Sequence, residues 1–199
     1  MSVIQAQSAE SILNELSEKA KKYKSVEATY SSKLIDKASN FQNTSQGKIS
    51  MQGDSYNLDT GDYLLISDGN NLWTYQKEYN EVNVDLIEDL GEDGFSPNKL
   101  FTIWENDFKS ELKGVKNIDG IDCYEIHLFP NKAEDRTFHT VKMFVEKSKM
   151  EVYKLEVKGR EGTDVIYKIL TFKPNAVVDP SKFTFKEIDF PGVDIIDNR

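Results

Sequence analysis

Apolar and polar residues alternate at a period of two through most of this chain, from residue 26 to residue 186. Val26, Ala28 and Tyr30, for example, are separated by polar residues. Successive side chains of a strand point to opposite faces of a sheet, so this period is typical of half-buried strands. Short turn signals such as Gly53-Asp54 and Asp68-Gly69 separate the segments. The pattern therefore predicts a mainly β chain whose neighbouring strands pair antiparallel, as a meander.

Individual strands are predicted wherever the alternation runs between two turn signals. We expect them at residues 26–34, 45–52, 55–59, 62–67, 72–79, 81–87, 108–117, 121–129, 137–147, 150–158, 164–173 and 182–186.

Two segments depart from this period and predict helices. In residues 8–23, Ile12, Leu13 and Leu16 recur at helical spacing behind Ser8, a residue suited to an N-cap. A second, shorter helix is expected after Ser96-Pro97, following an acidic loop at residues 88–94. Both helices have one apolar face, so both are expected to pack on the sheet.

The number of strands limits the shape of the sheet. Ten or more meandering strands curl strongly because strands twist, and such a sheet either closes into a barrel or needs a cover. We therefore predict an unclosed, curled antiparallel β-barrel, a half-barrel, covered by a helical lid. No linker or repeat divides residues 8–199, which are expected to form a single domain.

Residues 1–7, MSVIQAQ, differ in character from the rest of the chain. The small residues around Ala6 resemble the end of a secretory signal, without its apolar core. We expect this segment to be a signal-peptide remnant or a flexible terminus, and the protein to be exported with the signal peptide removed.

Charge and cysteine content exclude several classes of function. The chain has 34 acidic and 25 basic residues, a net charge of −9. Nucleic-acid binding requires a basic surface that releases counterions from phosphates, so no nucleic-acid partner is expected. The single cysteine, Cys123, permits neither an internal disulfide nor a thiolate metal cluster.

Residues for catalysis are scarce. His127 and His139 lie inside predicted strands, and the chain contains no nucleophile elbow, zinc-binding helix motif or glycine-rich phosphate loop. The acidic run at residues 88–93 lacks the ligand spacing of a calcium loop. We therefore expect no enzymatic activity, no catalytic residue, no metal and no cofactor.

Residues 64–82 form the most distinctive hairpin. Its second half carries Trp73, Tyr75 and Tyr79 at a period of two, which places them on one strand face. They could be core, a base-stacking platform or the wall of an apolar cavity. The acidic charge balance argues against base stacking and leaves core and cavity open.

Three segments resemble the LolA family, the periplasmic carriers of outer-membrane lipoproteins. Residues 65–75, LISDGNNLWTY, look like the family's "SDG…LW.Y" hairpin. Residues 46–49, QGKI, look like the "QG.L" strand that precedes it. Residues 178–185, VDPSKFTF, look like the family's "D…F.F" ending. The order of helix, strands and hairpin agrees as well, so the likeness spans nearly the whole chain.

The resemblance implies a function without chemistry. Members of the family shelter lipoprotein acyl chains on a concave apolar face and carry them across the periplasm. The implied partners are lipoprotein acyl chains or another lipid, an inner-membrane lipoprotein-releasing transporter and an outer-membrane acceptor, and the carrier is expected to be a monomer. Here Gly53-Asp54 stands where typical members have an Arg-Pro pair that latches the lid, so the latch is absent or relocated.

We assign the wall of the predicted cavity to large apolar residues on the strands and helices, for which ordinary core packing is the alternative. The predicted cavity residues are Leu16, Tyr30, Leu34, Ile49, Met51, Tyr56, Leu65, Trp73, Tyr75, Leu100, Phe101 and Trp104.

A second function is compatible with the pattern: a sensor could use the same half-barrel to detect lipid or lipoprotein and signal to a membrane partner. A membrane-anchored receptor of similar fold would need an acylated cysteine near residue 1, and the single cysteine is Cys123. A lipid hydrolase would need catalytic groups that the motifs do not supply.

Overall fold

The computed structural model describes residues 8–93 and 104–199. The two α-helices are α1 (Ala9–Ala20) and α2 (Trp104–Asp107). The twelve strands are β1 (Ser25–Asp36), β2 (Phe41–Gln52), β3 (Ser55–Asp59), β4 (Tyr63–Ser67), β5 (Asn71–Gln76), β6 (Glu81–Leu86), β7 (Phe108–Ile118), β8 (Ile121–Pro130), β9 (Phe138–Glu146), β10 (Glu151–Gly159), β11 (Thr163–Pro174) and β12 (Asp194–Asp197). Short 3₁₀ helices lie at Ile87–Asp93, Ala133–Asp135, Pro180–Phe183 and Glu187–Asp189.

The strands form one sheet in the order β12-β6-β5-β4-β3-β2-β1-β11-β10-β9-β8-β7. This order consists of two meanders, β1 to β6 and β7 to β11, which meet where β1 pairs with β11. Strands β12 and β7 are the two ends of the order within the described part of the chain. The prediction of a mainly β fold with an unclosed, largely antiparallel sheet is confirmed.

Two details of the predicted meander are wrong. The predicted strand at residues 182–186 is replaced by the 3₁₀ helix Pro180–Phe183, because the Asp179 side chain accepts a hydrogen bond from the Ser181 N–H and Pro180 favours the first helical position. The last strand, β12, was not predicted, and it pairs parallel with β6. Only four residues long, it was too short to show a period.

The predicted turn chemistry is found at both hairpins that the sequence singled out. Gly53, between β2 and β3, has a φ of 57°, a conformation open to glycine. In the next hairpin the Asp68 carboxylate accepts hydrogen bonds from the Asn70 and Asn71 N–H groups at 2.9 and 2.8 Å. The family's Arg-Pro position is therefore a tight turn in this chain.

The chain divides into two compact units. Unit 1 consists of Met1–Lys22, Ser31–Thr44 and Phe101–Ile169, and unit 2 of Tyr23–Tyr30, Ser45–Leu100 and Leu170–Arg199. Among the described residues, both α-helices belong to unit 1. The prediction of one domain over residues 8–199 stays a prediction, and residues 1–7 lie outside the described residues.

Unit 1 has its core between α1 and one face of the sheet. The helix is capped by Ser8, as predicted. The side chains of Ser8 and Ser11 each accept a hydrogen bond from the other residue's backbone N–H at 3.1 Å. Ile12, Leu13 and Leu16 on its inner face are at most 6% exposed. Each contributes about 1.5–3 kcal/mol by leaving water.

Unit 2 has no described α-helix, and the segment between β11 and β12, residues 175–193, covers one sheet face. We call it the C-terminal segment. Val178 and Phe183 of this segment are buried. The Asn57 side chain donates a hydrogen bond to the Lys182 carbonyl at 2.9 Å, and the Lys182 ammonium lies 2.9 Å from the Glu27 carboxylate. These contacts hold the segment against the strands.

Candidate functional site

The candidate site starts from the sheet face that supports α1 in unit 1. In the ladder between β8 and β9, Ile126 lies opposite Met143 and Leu128 opposite Val141. Side chains at directly opposite positions share a face. These residues form one apolar cluster with Ile12, Leu13 and Leu16 of α1.

The same face continues onto β10 and β11. Leu155 lies opposite Met143 and Val157 opposite Val141. On the next strand, Tyr167 lies opposite Leu155 and Val165 opposite Val157. The apolar surface thus extends beyond the fully buried cluster.

Exposure changes along this face. Ile126, Leu128 and Met143 are at most 2% exposed, whereas Tyr167 is 37% exposed. Leu155, Val157 and Val165 are intermediate. Apolar surface that remains accessible to water and adjoins a buried core favours association with another apolar group. We call the residues Leu155, Val157, Val165 and Tyr167 the open apolar strip.

A buried hydrogen bond ties α2 to α1 beside this cluster. The Trp104 indole N–H donates to the Ser17 hydroxyl at 3.1 Å, and both residues are buried. One helical turn after Ser17, the Lys21 ammonium lies 3.4 Å from the Glu105 carboxylate. The ion pair is exposed and contributes little, so the buried hydrogen bond and the packing of the indole hold the contact.

The opposite face of the same strands is charged. The Glu156 carboxylate lies 2.7 Å from the Lys154 ammonium and 3.1 Å from the Lys158 ammonium. Burial alone would raise the pKa of Glu156, but hydrogen bonds from the two lysines outweigh it and lower the pKa below its usual range. The ammonium groups of Lys116 and Lys154 also lie 5.8 and 5.5 Å from the centre of the Phe144 ring. The sheet of unit 1 is therefore apolar on one face and ion-paired on the other.

Unit 2 presents a second apolar face, formed by four of the predicted cavity residues. Ile49 and Met51 of β2 lie opposite Leu58 and Tyr56 of β3, and Leu58 lies opposite Leu65 of β4. Ile49, Met51 and Tyr56 are buried, Tyr56 to 1% exposure. Burial raises the pKa of the Tyr56 phenol to about 12, as expected for a hydroxyl in apolar surroundings.

Trp73 and Tyr75 lie on the other face of unit 2. Trp73 is opposite Ile66, and the neighbours of Ile66 along β4 are Leu65 and Ser67, which point the opposite way. The Tyr75 ring packs on Phe190 of the C-terminal segment, with ring centres 4.7 Å apart, and its hydroxyl donates to the Asn80 side chain at 2.9 Å. One sheet face cannot present both Leu65 and Trp73.

This separation corrects the assumption that the predicted cavity residues share one face. The alternation within each strand was interpreted correctly. Which residues of two neighbouring strands share a face depends on the register between the strands, and alternation does not give that register. Trp73 and Tyr75 face the C-terminal segment, whereas Ile49, Met51, Tyr56 and Leu65 face the other way.

The remaining predicted residues are dispersed. Leu16 and Trp104 belong to the buried cluster of unit 1, and Leu34, also in unit 1, is 36% exposed. Leu100 and Phe101, with the start of the predicted second helix, lie outside the described residues. That these side chains bind a ligand stays a prediction.

The Tyr30 ring explains why residue 47, in the "QG.L" strand, is a glycine. A Cβ atom on Gly47 would lie 2.3 Å from the Tyr30 ring, much closer than atoms can approach. Only glycine lets the ring lie across β2 at this point. Gly47 therefore has a packing role within unit 2.

Sequence reasoning missed the open apolar strip. Leu155 and Val157 on β10, and Val165 and Tyr167 on β11, alternate with charged or outward residues, so the period-two signal was present. What was not visible is that β10 pairs with β9, whose residues support α1, and that β11 pairs with β10.

Groups suited to chemistry are separate from each other. The Glu125 carboxylate lies 2.8 Å from His127 Nε2, and His139 Nδ1 lies 2.8 Å from the Thr140 hydroxyl. Within residues 8–93 and 104–199, no three His, Cys, Asp or Glu side chains are arranged to hold a metal ion. Nor is any helix in that part of the chain long and apolar enough to cross a bilayer.

Comparison with known proteins agrees with this architecture. Residues 21–186 match the family described as outer membrane lipoprotein carrier protein LolA, and the chain belongs to this family.

One relative and two solved structures illustrate the likeness. The outer-membrane lipoprotein carrier protein of Francisella tularensis subsp. tularensis is 26% identical over 132 residues, which cover 59% of this chain and 64% of that protein, just under two thirds of its length. An uncharacterized conserved protein from Thermus thermophilus has a TM-score of 0.62 at 8% identity, covering 94% of this chain and 97% of its own. Lipoprotein LppX of Mycobacterium tuberculosis has a TM-score of 0.53 at 12% identity, covering 85% and 98%. The two structures share the fold.

Proposed function

We propose that this protein is a periplasmic carrier that shelters the acyl chains of lipoproteins, or of other lipids, and moves them toward the outer membrane. The open apolar strip beside α1 is the observation that carries the proposal, because it offers accessible apolar surface next to a well-packed core. Membership of the LolA family and the name of the Francisella relative support the same function.

The energetics suit a carrier. Each acyl CH₂ group that leaves water contributes about 0.8 kcal/mol, so an acyl chain needs a continuous apolar surface more than it needs specific polar contacts. Leu155, Val157 and Val165 present such a surface without a charged group among them. Binding of this kind is tolerant of the polypeptide attached to the lipid.

The carrier makes and breaks no covalent bond in this proposal. Its partners would be an inner-membrane lipoprotein-releasing transporter and an outer-membrane acceptor. Because Gly53-Asp54 is a turn without a cationic side chain, the lid contact in this chain falls to the buried Trp104–Ser17 hydrogen bond and the packing of α1.

The test uses two neighbouring residues of β11 that point to opposite faces. Val165 lies opposite Val157 on the α1 side, and Ile166 lies opposite Glu156 on the charged side. Val165→Asp should weaken displacement of a fluorescent fatty acid by a triacylated lipopeptide about tenfold or more, because it places a carboxylate against the acyl chain. Ile166→Asp makes the same chemical change on the other face and should leave displacement unchanged.

Circular dichroism of both variants establishes that they are folded. Failure of the wild-type protein to bind the fatty acid would contradict the proposal, as would equal loss of binding in both variants. Release of free fatty acid from a lipid substrate over time would indicate a hydrolase instead.

A further inference from the structure

The net charge of the protein is confined to one of its two units. Of the 34 acidic and 25 basic residues, unit 1 contains 17 of each, and unit 2 contains 17 acidic and 8 basic residues. Unit 1 is therefore neutral, and unit 2 carries the whole charge of −9. This uneven distribution gives unit 2 a field that attracts cationic partners.

Within unit 2, two carboxylates oppose each other at the end of the sheet. Glu81 of β6 is the ladder partner of Asp194 of β12. Among the described residues, no lysine or arginine nitrogen lies within 4.0 Å of either carboxylate, and the Asn83 side chain donates a hydrogen bond to Glu81 at 3.2 Å. Like charges at adjacent ladder positions destabilise a sheet. A nearby cation would remove that cost.

The same strand has an open edge. The Asp194 and Asn198 N–H groups donate to the carbonyls of Asn80 and Val84, on the β6 side. Since donors alternate along a strand, the N–H groups of Ile195 and Asp197 point away from β6. Strand β12 is the end of the sheet order in the described residues, and Ile195 and Ile196 are 45% and 42% exposed. This edge can accept another strand.

The carboxylates beside the outer edge of β12 determine which kind of strand can pair with that edge. Arg199 neutralises Asp197, its guanidinium lying 2.6 Å from that carboxylate, but Asp194 and Glu81 stay without a cation in the described residues. A second copy of this edge would bring more carboxylates together and is disfavoured. A strand with lysine or arginine beside apolar side chains would satisfy the open N–H groups, cover the isoleucines and neutralise the carboxylates.

We propose that the outer edge of β12, with Glu81 and Asp194, is a docking site for an extended basic segment of a partner protein, which adds to the sheet as a further strand. This proposal is independent of acyl-chain binding, since it uses unit 2 and a different set of residues.

The probe is a labelled short peptide that alternates lysine with valine, measured by fluorescence anisotropy. The wild-type protein should bind it, and Glu81→Gln/Asp194→Asn should weaken binding about tenfold, as expected for the loss of two charge contacts at the surface. The control variant Glu134→Gln/Glu161→Gln removes two exposed charges from unit 1 and should bind like wild type.

Two further measurements separate strand addition from charge attraction. The same peptide with its central valine replaced by proline should not bind, because proline interrupts the ladder of hydrogen bonds. Amide hydrogen exchange should show new protection at Ile195 and Asp197 in the complex.

The proposal is overturned if the wild type does not bind the lysine–valine peptide, if the Glu81/Asp194 variant binds it equally well, or if the proline peptide binds as tightly. Self-association of the wild type that the peptide does not compete with would also overturn it, by assigning the edge to a second copy.

Discussion

The two units are both built on strands of the same sheet, but they differ in net charge and in what packs on the sheet. Unit 1 is electrically neutral, packs a helix on one sheet face and lines the other with ion pairs. Unit 2 carries the whole net charge, and its C-terminal segment packs on Trp73's face of the sheet. Accessible apolar surface is therefore found beside α1, whereas the β12 edge carries two carboxylates that have no cationic partner within residues 8–93 and 104–199.

The two tryptophans give the largest contrast. Trp104 of unit 1 is 6% exposed and donates a buried hydrogen bond to Ser17, whereas Trp73 of unit 2 is only half-buried. Trp104→Ala should lower the free energy of unfolding by about 3–5 kcal/mol, because it leaves a cavity and an unpaired buried hydroxyl. Trp73→Ala should cost about 1–3 kcal/mol. Urea denaturation followed by circular dichroism measures both.

Trp104→Phe serves as the control, since it keeps most of the ring volume and loses the indole N–H. It should fall between wild type and the alanine variant. Equal losses for the two tryptophan-to-alanine variants would contradict the difference in packing between the units.

A substitution of Phe190 tests whether the aromatic residues of unit 2 pack against the C-terminal segment. Its ring centre lies 4.7 Å from those of both Tyr75 and Phe185. Phe190→Ala should lower the free energy of unfolding by about 1–3 kcal/mol through the loss of these two ring contacts. Fatty-acid binding should be unchanged, because this cluster lies in unit 2 and the open apolar strip lies in unit 1. Weaker fatty-acid binding in the folded variant would contradict the assignment of acyl-chain binding to the open apolar strip.

The aromatic residues of unit 2 also mark the limit of what the sequence could predict. Alternation correctly placed Trp73 and Tyr75 on a common face, and Asp68-Gly69 correctly predicted their hairpin. Alternation within one strand does not show which residues of the neighbouring strand lie on the same face. A register shift of one residue between the two strands moves every side chain of one strand to the opposite face. Leu65 and Trp73 were assigned to one cavity for that reason.

Helix α1 shows the opposite case. Its cap, length and apolar face are local properties, so Ser8, Ile12 and Leu16 could be identified from spacing alone. The residues that it packs on are far from it in the sequence, and Ile126 and Met143 carry no local sign of that contact.

Asp164 of unit 1 provides a test by pH. Its carboxylate is buried and lies 2.9 Å from the Lys37 ammonium and 3.1 Å from the Lys158 ammonium. Burial alone would raise the pKa of Asp164, but hydrogen bonds from the two lysines lower it below its usual range. The stabilisation is therefore present above the unfolded-state pKa of about 4 and is lost as the pH falls through the lower, folded-state pKa.

Asp164→Asn should lower the free energy of unfolding at neutral pH by about 1–2 kcal/mol and should flatten its decline below about pH 5. Denaturation at a series of pH values measures both effects. An unchanged pH profile would show that the two lysines do not stabilise the carboxylate.

The smallest effect is expected at the edge of unit 2. Glu81→Gln/Asp194→Asn removes a like-charge pair and should raise the melting temperature by about 1–3 °C. The gain should shrink in high salt, which screens exposed charges in the wild type. A lower melting temperature would show that the two carboxylates do not repel each other in the folded protein.

Acyl-chain binding on the α1 side of unit 1 is the property on which the proposed function depends. It is measured by organic-solvent extraction of the purified protein, followed by mass spectrometry of the extract, for wild type, Val165→Asp and Ile166→Asp. We predict acyl-containing lipid from the wild type and from Ile166→Asp, and strongly reduced lipid from Val165→Asp. The absence of lipid from the wild type, or equal lipid from the two variants, would contradict this assignment.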